Sequence, residues 1–241
     1  MLVVGIGPGG AEHRTARAVE AIAQSDLIIG YKPYLAAIAD LAEGKQCLAS
    51  GMTQEVARCR QALRHAAAGR TVALVSSGDP GIYGMAGLAV ELAEAEGFRV
   101  PIEIIPGVTA ASAAAAALGA PLMLDFAVLS LSDLLVPWET IRRRLEALAA
   151  ADLVTVLYNP KSRRRVRPFQ QAVDIFRAAR PAATPAGIVT SAGQPGQSVV
   201  VTDLGHLARQ QVGMHSVVII GNAATRVLGG RLVTARGYRL T

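Results

Sequence analysis

At 241 residues and 51% hydrophobic content, the chain can bury one large core or two compact ones, and with aromatics at 4% that core is aliphatic. The net charge of +6 is carried almost wholly by arginine, because Lys32, Lys45 and Lys161 are the only lysines. A general bias toward arginine explains much of that excess, and beyond it the planar guanidinium suits a small anionic substrate; the scarcity of aromatics excludes a stacking platform for single-stranded nucleic acid.

In chain order, short aliphatic runs alternate with helical patterns. Residues 2–4, 27–29, 72–75 and 102–105 read as buried strands, and 13–24, 34–43, 54–68 and 83–96 as helices. In the third helix Val56, Cys59, Leu63 and Ala66 share a face, with Thr53 as its expected N-cap. Gly107 to Pro121 reads as a junction containing an alanine-rich helix. Beyond it come a strand at 126–129, a helix face of Trp138, Ile141, Leu145 and Leu148, a strand at 153–157, a helix at 169–179 and strands at 187–189, 198–202 and 217–220. Such alternation predicts an α/β fold: a largely parallel first sheet with helices on both faces, then a second sheet that is parallel or mixed. The expected domains are 1–111 and 112–241.

No apolar run approaches the roughly 20 residues of a membrane-spanning helix. No secretory pattern precedes the first strand. Cys47 and Cys59 have neither metal-ligand nor redox spacing, and the four histidines are scattered. The expectation is a cytoplasmic protein that uses no metal, no membrane and no nucleic acid.

Gly5-Ile6-Gly7-Pro8-Gly9-Gly10 matches the dinucleotide pattern G-x-G-x-x-G between a strand and a helix. Two features argue against that reading. Pro8 lacks the backbone N–H that a phosphate cradle uses. The second strand ends in Gly30-Tyr31, where the ribose-binding acid would stand. A tight turn that needs glycine is the plainer alternative, whereas four glycines around a proline suggest something packed against bare backbone. Ser77-Gly78-Asp79-Pro80 follows the strand at 72–75, either as an Asp-Pro turn or as a flat backbone platform. Lys161, Arg163, Arg164, Arg165 and Arg167 follow the strand at 153–157, either as a solvated face or as an anion-facing cluster. The nucleophile elbow and the P-loop are both absent, so the chemistry is expected to reside in a reactive cofactor held by backbone.

In order and spacing, Val4-Gly5-Ile6-Gly7-Pro8-Gly9, Gly78-Asp79-Pro80 with Gly84, and Pro106-Gly107-Val108-Thr109-Ala110 resemble the tetrapyrrole methylase family over nearly the whole chain. The resemblance implies two α/β domains with S-adenosylmethionine in the cleft between them, and a homodimer. Ser77 to Ala86, Ser130 to Trp138 and Leu157 to Ser162 point further, to members that methylate C17 of precorrin-3B with ring contraction to precorrin-4. By motif position it implies cofactor contacts at Pro8, Ser77, Gly78, Asp79, Ile82, Thr109, Ala110, Asn159 and Ala192. Gly10 stands where many members carry an acid, which takes any acid–base role away from that loop. Candidates for the substrate and its rim carboxylates are Gly9, Gly10, Arg14, Lys161, Arg163 and Arg165. Tyr83, Asp79 and Asp125 are candidates by location for the proton movements of contraction. Competing expectations are methylation at another macrocycle position, the cobalt-containing analogue as substrate, a nucleotide-dependent oxidoreductase, and a non-enzymatic tetrapyrrole-binding protein.

Overall fold

A computed structural model describes residues 1–162 and 165–239. The chain divides into two compact units, Met1–Ala110 and Ala111–Thr241. The first contains β1 (Leu2–Gly5), α1 (Ala16–Ala23), β2 (Leu27–Tyr31), α2 (Lys32–Ala37), α3 (Ala39–Ala42), β3 (Gln46–Ser50), α4 (Glu55–Ala67), β4 (Val72–Ser76), α5 (Ala86–Ala95) and β5 (Glu103–Ile105). Its sheet runs β3-β2-β4-β1-β5 and is parallel throughout.

Alternate residues of each strand feed opposite cores, as a period of two requires. Val3, Leu27, Ile29, Val72 and Leu74 pack with α4 and α5 on one face. Leu2, Val4, Ile28, Ala73 and Val75 pack with α1 and with Ile38, the residue between α2 and α3, on the other. After β1 the chain therefore turns to one face, and after the adjacent β4 it turns to the opposite face. Their diverging loops create a topological switch point at the carboxyl edge of the sheet, the place where open α/β sheets hold ligands.

The local details depart from expectation in four places. Thr53 does not cap α4: it lies in the left-handed region at φ 63°, and Gln54 takes the cap position. The buried stripe of α4 is Arg58, Cys59, Ala62 and Leu63, while Val56 is exposed. The helix expected at 34–43 is two short ones, broken where Ile38 turns to φ −120°. α5 begins at Ala86 rather than at residue 83, because Tyr83 sits at φ 54° and cannot belong to a helix.

The second unit contains α6 (Ala110–Leu118), β6 (Gly119–Ala120), β7 (Phe126–Ser130), α7 (Trp138–Ala150), β8 (Val154–Tyr158), α8 (Arg167–Ala179), β9 (Pro185–Thr190), β10 (Ser198–Asp203), β11 (Ser216–Ile220), β12 (Thr225–Leu228) and β13 (Arg231–Thr234). Its main sheet, β10-β9-β11-β8-β7, is mixed: only β7 and β8 run parallel. Phe169, Ala172, Val173 and Phe176 bury one stripe of α8 beside Ile141 and Leu145 of α7 against one face of this sheet. Leu118 of α6 covers the other face, where Gly187 has no side chain to obstruct it. β12 and β13 form a hairpin through Gly229 and Gly230, both at positive φ, and β13 pairs in parallel with β6.

Candidate functional site

In the first unit, three loops meet backbone to backbone beyond β1, β4 and β5. Gly7 and Gly78 exchange amide hydrogen bonds at 3.2 and 2.8 Å, and the Ile6 amide donates to the Ser76 carbonyl at 3.0 Å. A β-carbon on Gly5 would lie 2.7 Å from the Gly78 carbonyl oxygen and from Pro80 Cδ. One on Gly107 would meet the same Gly78 oxygen and the Gly5 carbonyl. These glycines let three main chains nest, which is a packing requirement and not a ligand contact.

Gly78 differs. It has φ +65°, and a β-carbon there would find nothing nearer than the Ala110 amide nitrogen at 3.9 Å, with Thr109 Cα and the Val108 carbonyl oxygen at 4.0 Å. A small hollow lined by main chain, wide enough for a methyl group in ordinary contact, therefore lies between Gly78 and residues 108–110. Ser77, Thr109 and Ala110 are half-buried around it, Pro8 is buried in the neighbouring turn, and Ile82 is exposed. Both polar main-chain groups of Gly78 are already paired with Gly7, so what the hollow offers is close approach to a side-chain-free wall, and S-adenosylmethionine fits these residues in that sense.

The Asp79 carboxylate is the strut of this arrangement. One oxygen accepts from the Gly81 amide at 2.8 Å and the other from the Gly107 amide at 3.1 Å. One oxygen closes the β4 loop on itself and the other joins it to the β5 loop, so Asp79 is corrected from acid–base candidate to positioning residue. Tyr83 shares this loop and is 56% exposed in its left-handed conformation, the kind of backbone strain that gathers at functional loops. Gly9 and Gly10 are half-buried; the space beside Gly10 is held by the flexible carboxylate of Glu12.

Arg14 is a second correction. Its Nη1 donates to Asp40 and its Nη2 to the Ala37 carbonyl, both at 2.6 Å, and its side chain is only 6% exposed. The guanidinium braces α1 against the α2–α3 segment and is not presented to a substrate. Hydrogen bonding to Arg14 holds the Asp40 carboxyl below its usual pKa.

In the second unit, the register places Ser130, Tyr158, Ser216 and Thr190 along one edge of the sheet. Asn159, at φ 49°, follows β8 and donates from Nδ2 to Ser130 Oγ at 3.0 Å. Ser191, at φ 53°, follows β9 and leads to the buried Ala192. Asparagine visits this left-handed region readily and serine seldom does. Thr190 and Ser216 hydroxyls share a hydrogen bond at 2.8 Å. The Tyr158 hydroxyl accepts from the Ala111 amide at 2.7 Å, satisfying a donor in the first turn of α6.

Arg165 is a third correction. Its guanidinium donates to the Leu131 carbonyl at 2.6 Å and to the Asn159 carbonyl at 2.8 Å, and it faces Asp133 at 3.7 Å. Burial lowers its pKa, and Asp133 opposes that shift. Arg165 thus ties the β7 and β8 loops together and is not available to a rim carboxylate. Lys161 is half-buried beside it and has no acidic partner among the described residues. Arg163 lies outside the described residues. Asp125 is a fourth correction: it is exposed and precedes β7, at the end of that strand remote from Ser130 and Asn159.

Sequence reasoning met Ser130 and Tyr158 only inside longer stretches and did not single out Thr190 or Ser216. All end or begin strands, so their shared edge becomes visible only once register is known. Among the described residues no group of three or more His, Cys, Asp or Glu could hold a metal ion, and no helix is long and apolar enough to cross a membrane.

The chain is similar to known proteins over most of its length. The tetrapyrrole (corrin/porphyrin) methylases match residues 1–208. A probable cobalt-factor III C(17)-methyltransferase of Salmonella typhimurium is 45% identical over 99% of both chains. The cobalt-factor III methyltransferase of Priestia megaterium is 46% identical over 99% of this chain, which spans 45% of that longer protein. A precorrin-3B C(17)-methyltransferase of a Sinorhizobium species is 41% identical over 95% of this chain and 91% of its own. Among solved structures, the methyltransferase CobJ superposes with a TM-score of 0.90 at 38% identity, covering 97% of this chain and 98% of its own. A uroporphyrin-III C-methyltransferase from Thermus thermophilus, complexed with S-adenosylhomocysteine, superposes with a TM-score of 0.69 at 25% identity, covering 91% of this chain and 96% of its own. With a family match over most of its length and full-length relatives at this identity, the chain belongs to the tetrapyrrole (corrin/porphyrin) methylases.

Proposed function

We propose that the chain transfers the methyl group of S-adenosylmethionine to C17 of a precorrin-type macrocycle in cobalamin biosynthesis, with coupled ring contraction. The observation that carries this reading is the main-chain hollow at Gly78, set at the switch point of a parallel sheet and free of metal ligands or a nucleophilic triad. When bound, S-adenosylmethionine supplies an electrophilic methyl on sulfonium. The chain's part is then to hold and align. Gly78, Thr109 and Ala110 let the cofactor approach the backbone, Asp79 fixes the loops that carry them, and in the second unit the family resemblance assigns Asn159 and Ala192 to the cofactor. Lys161 pairs with a rim carboxylate. Tyr83 is the remaining candidate for proton movement during contraction.

The similar proteins support C17 as the position, because relatives matched over 91–99% of their own lengths are named C(17)-methyltransferases. Their names divide between cobalt-factor III and precorrin-3B while giving the same C(17) position. A homodimer belongs to the same reading, supported by the family resemblance.

Separate incubations with S-adenosylmethionine plus precorrin-3B or cobalt-factor III test the proposal, with products identified by mass and NMR. The expected product carries a new methyl at C17 in a contracted ring. Methylation elsewhere, or no turnover of either substrate, overturns it.

A further inference from the structure

Between β7 and α7 the chain holds two large apolar side chains out in solvent: Leu134 is 83% and Leu135 97% exposed. Single exposed leucines are ordinary, but an adjacent pair on a fixed loop is not. This loop is fixed at both ends. Leu131 is fully buried, its carbonyl accepts from Arg165, and the Ser132 amide donates to Ser130 Oγ at 3.2 Å. Asp133 faces Arg165, while Val136 and Trp138 pack onto the core of the unit. The two leucines stand out between anchored neighbours because the loop is built that way.

The second hydrogen bond of Arg165 ties the base of their loop to a charged segment. Its Nη2 donates to the Asn159 carbonyl, so one guanidinium joins the dileucine loop to the segment carrying Asn159 and Lys161. Apolar surface and an ammonium without an acidic partner thus share one edge of the sheet. A flat conjugated macrocycle with carboxylates around its rim has the complementary pattern, an apolar face bordered by negative charge.

Resting on the function proposed above, we infer that Leu134 and Leu135 form the apolar platform for one face of the tetrapyrrole, with Lys161 at its rim. They are specificity-determining residues that touch the macrocycle and not the cofactor. Burying them against the ring removes apolar area from water, which favours binding without directing the chemistry.

The test is the full-length double variant Leu134→Ser/Leu135→Ser beside Leu134→Met/Leu135→Met. Both sites are exposed, so neither pair disturbs the core. The serine pair is expected to raise the KM for the tetrapyrrole at least tenfold, leave calorimetric S-adenosylmethionine affinity within twofold and leave the sedimentation coefficient unchanged. The methionine pair, still apolar, is expected to keep the wild-type KM. An unchanged KM in the serine pair, with the wild type active, overturns this inference alone. A change in sedimentation assigns the leucines to a contact with a second copy and overturns it as well. A wild-type chain that neither binds nor methylates a tetrapyrrole overturns the proposed function and this inference with it.

Discussion

A methyl group added at Gly5 and one added at Gly78 test different things. At Gly5 it would press on Pro80 and on the Gly78 and Gly107 backbone at 2.7–2.8 Å, and main chain cannot swing away as a flexible side chain would. Gly5→Ala is therefore expected to destabilise the first unit by about 1–3 kcal/mol, the usual cost of overpacking, seen as a lower urea midpoint. At Gly78 the added carbon has room but occupies the hollow, and the left-handed backbone adds only about 1–2 kcal/mol of strain. Gly78→Ala is expected to fold and to lose at least tenfold in S-adenosylmethionine affinity by calorimetry. If Gly78→Ala binds normally, the hollow is not the cofactor site. The glycine-rich signal at residues 5–10 was legible in the sequence, but its meaning was not: whether a bare backbone faces a ligand or another loop depends on chains about 70 and 100 residues away. Asp79 and Arg14 were ambiguous for the same reason, since both found their partners in backbone or in side chains on other elements.

The elements that could be read in advance were those whose residues are buried on both sides, such as β1, β2 and β4, where continuous aliphatic runs leave little choice. β3 escaped because Gln46 to Ser50 is an edge strand, paired only with β2 and largely exposed, so its sequence is not markedly apolar. The β12–β13 hairpin also escaped, although Gly229-Gly230 between two short β-prone runs is a recognised hairpin signal. The basic cluster shows the limit of pattern at this scale. A run of cations after a strand suggests anion binding, yet Arg165 folds back to bind two carbonyls while Lys161 does not. Arg165→Ala orphans those carbonyls at about 1–3 kcal/mol each, and it is expected to lower stability and weaken both cofactor and macrocycle binding by loosening two loops. Lys161→Ala leaves no carbonyl orphaned, so it is expected to change stability by only about 0.5 kcal/mol and to weaken macrocycle binding alone. Parallel urea melts and calorimetric titrations separate the two, and a stable Arg165→Ala variant with selective loss of macrocycle binding would restore Arg165 as a direct substrate contact.

Taken as a whole molecule, the chain could belong to a different class of enzyme only if its switch point held a dinucleotide, and three features of the first unit oppose that. Pro8 supplies no N–H to a pyrophosphate. Gly30, next to the end of β2, supplies no acid to meet a ribose, and a side chain there would have to displace Val75 Cγ2, 2.5 Å from an added β-carbon. Asp26, the nearby acid, lies at the other end of β2, where its carboxylate accepts from the Thr71 amide at 2.8 Å. The same switch point with a bare hollow at Gly78 suits a cofactor recognised by main chain. A ligand that binds only the folded state at a hundredfold excess over its Kd stabilises it by about 2.7 kcal/mol. For a chain of this size that corresponds to roughly 5–10 °C in Tm. S-adenosylmethionine is expected to produce a shift of that order in the wild type, NAD is expected to produce none, and Gly78→Ala is expected to abolish the first. Equal shifts with both ligands would mean that the hollow selects only the adenosine they share; a shift with NAD alone would return the glycine turn to the dinucleotide reading that Pro8 and Gly30 oppose.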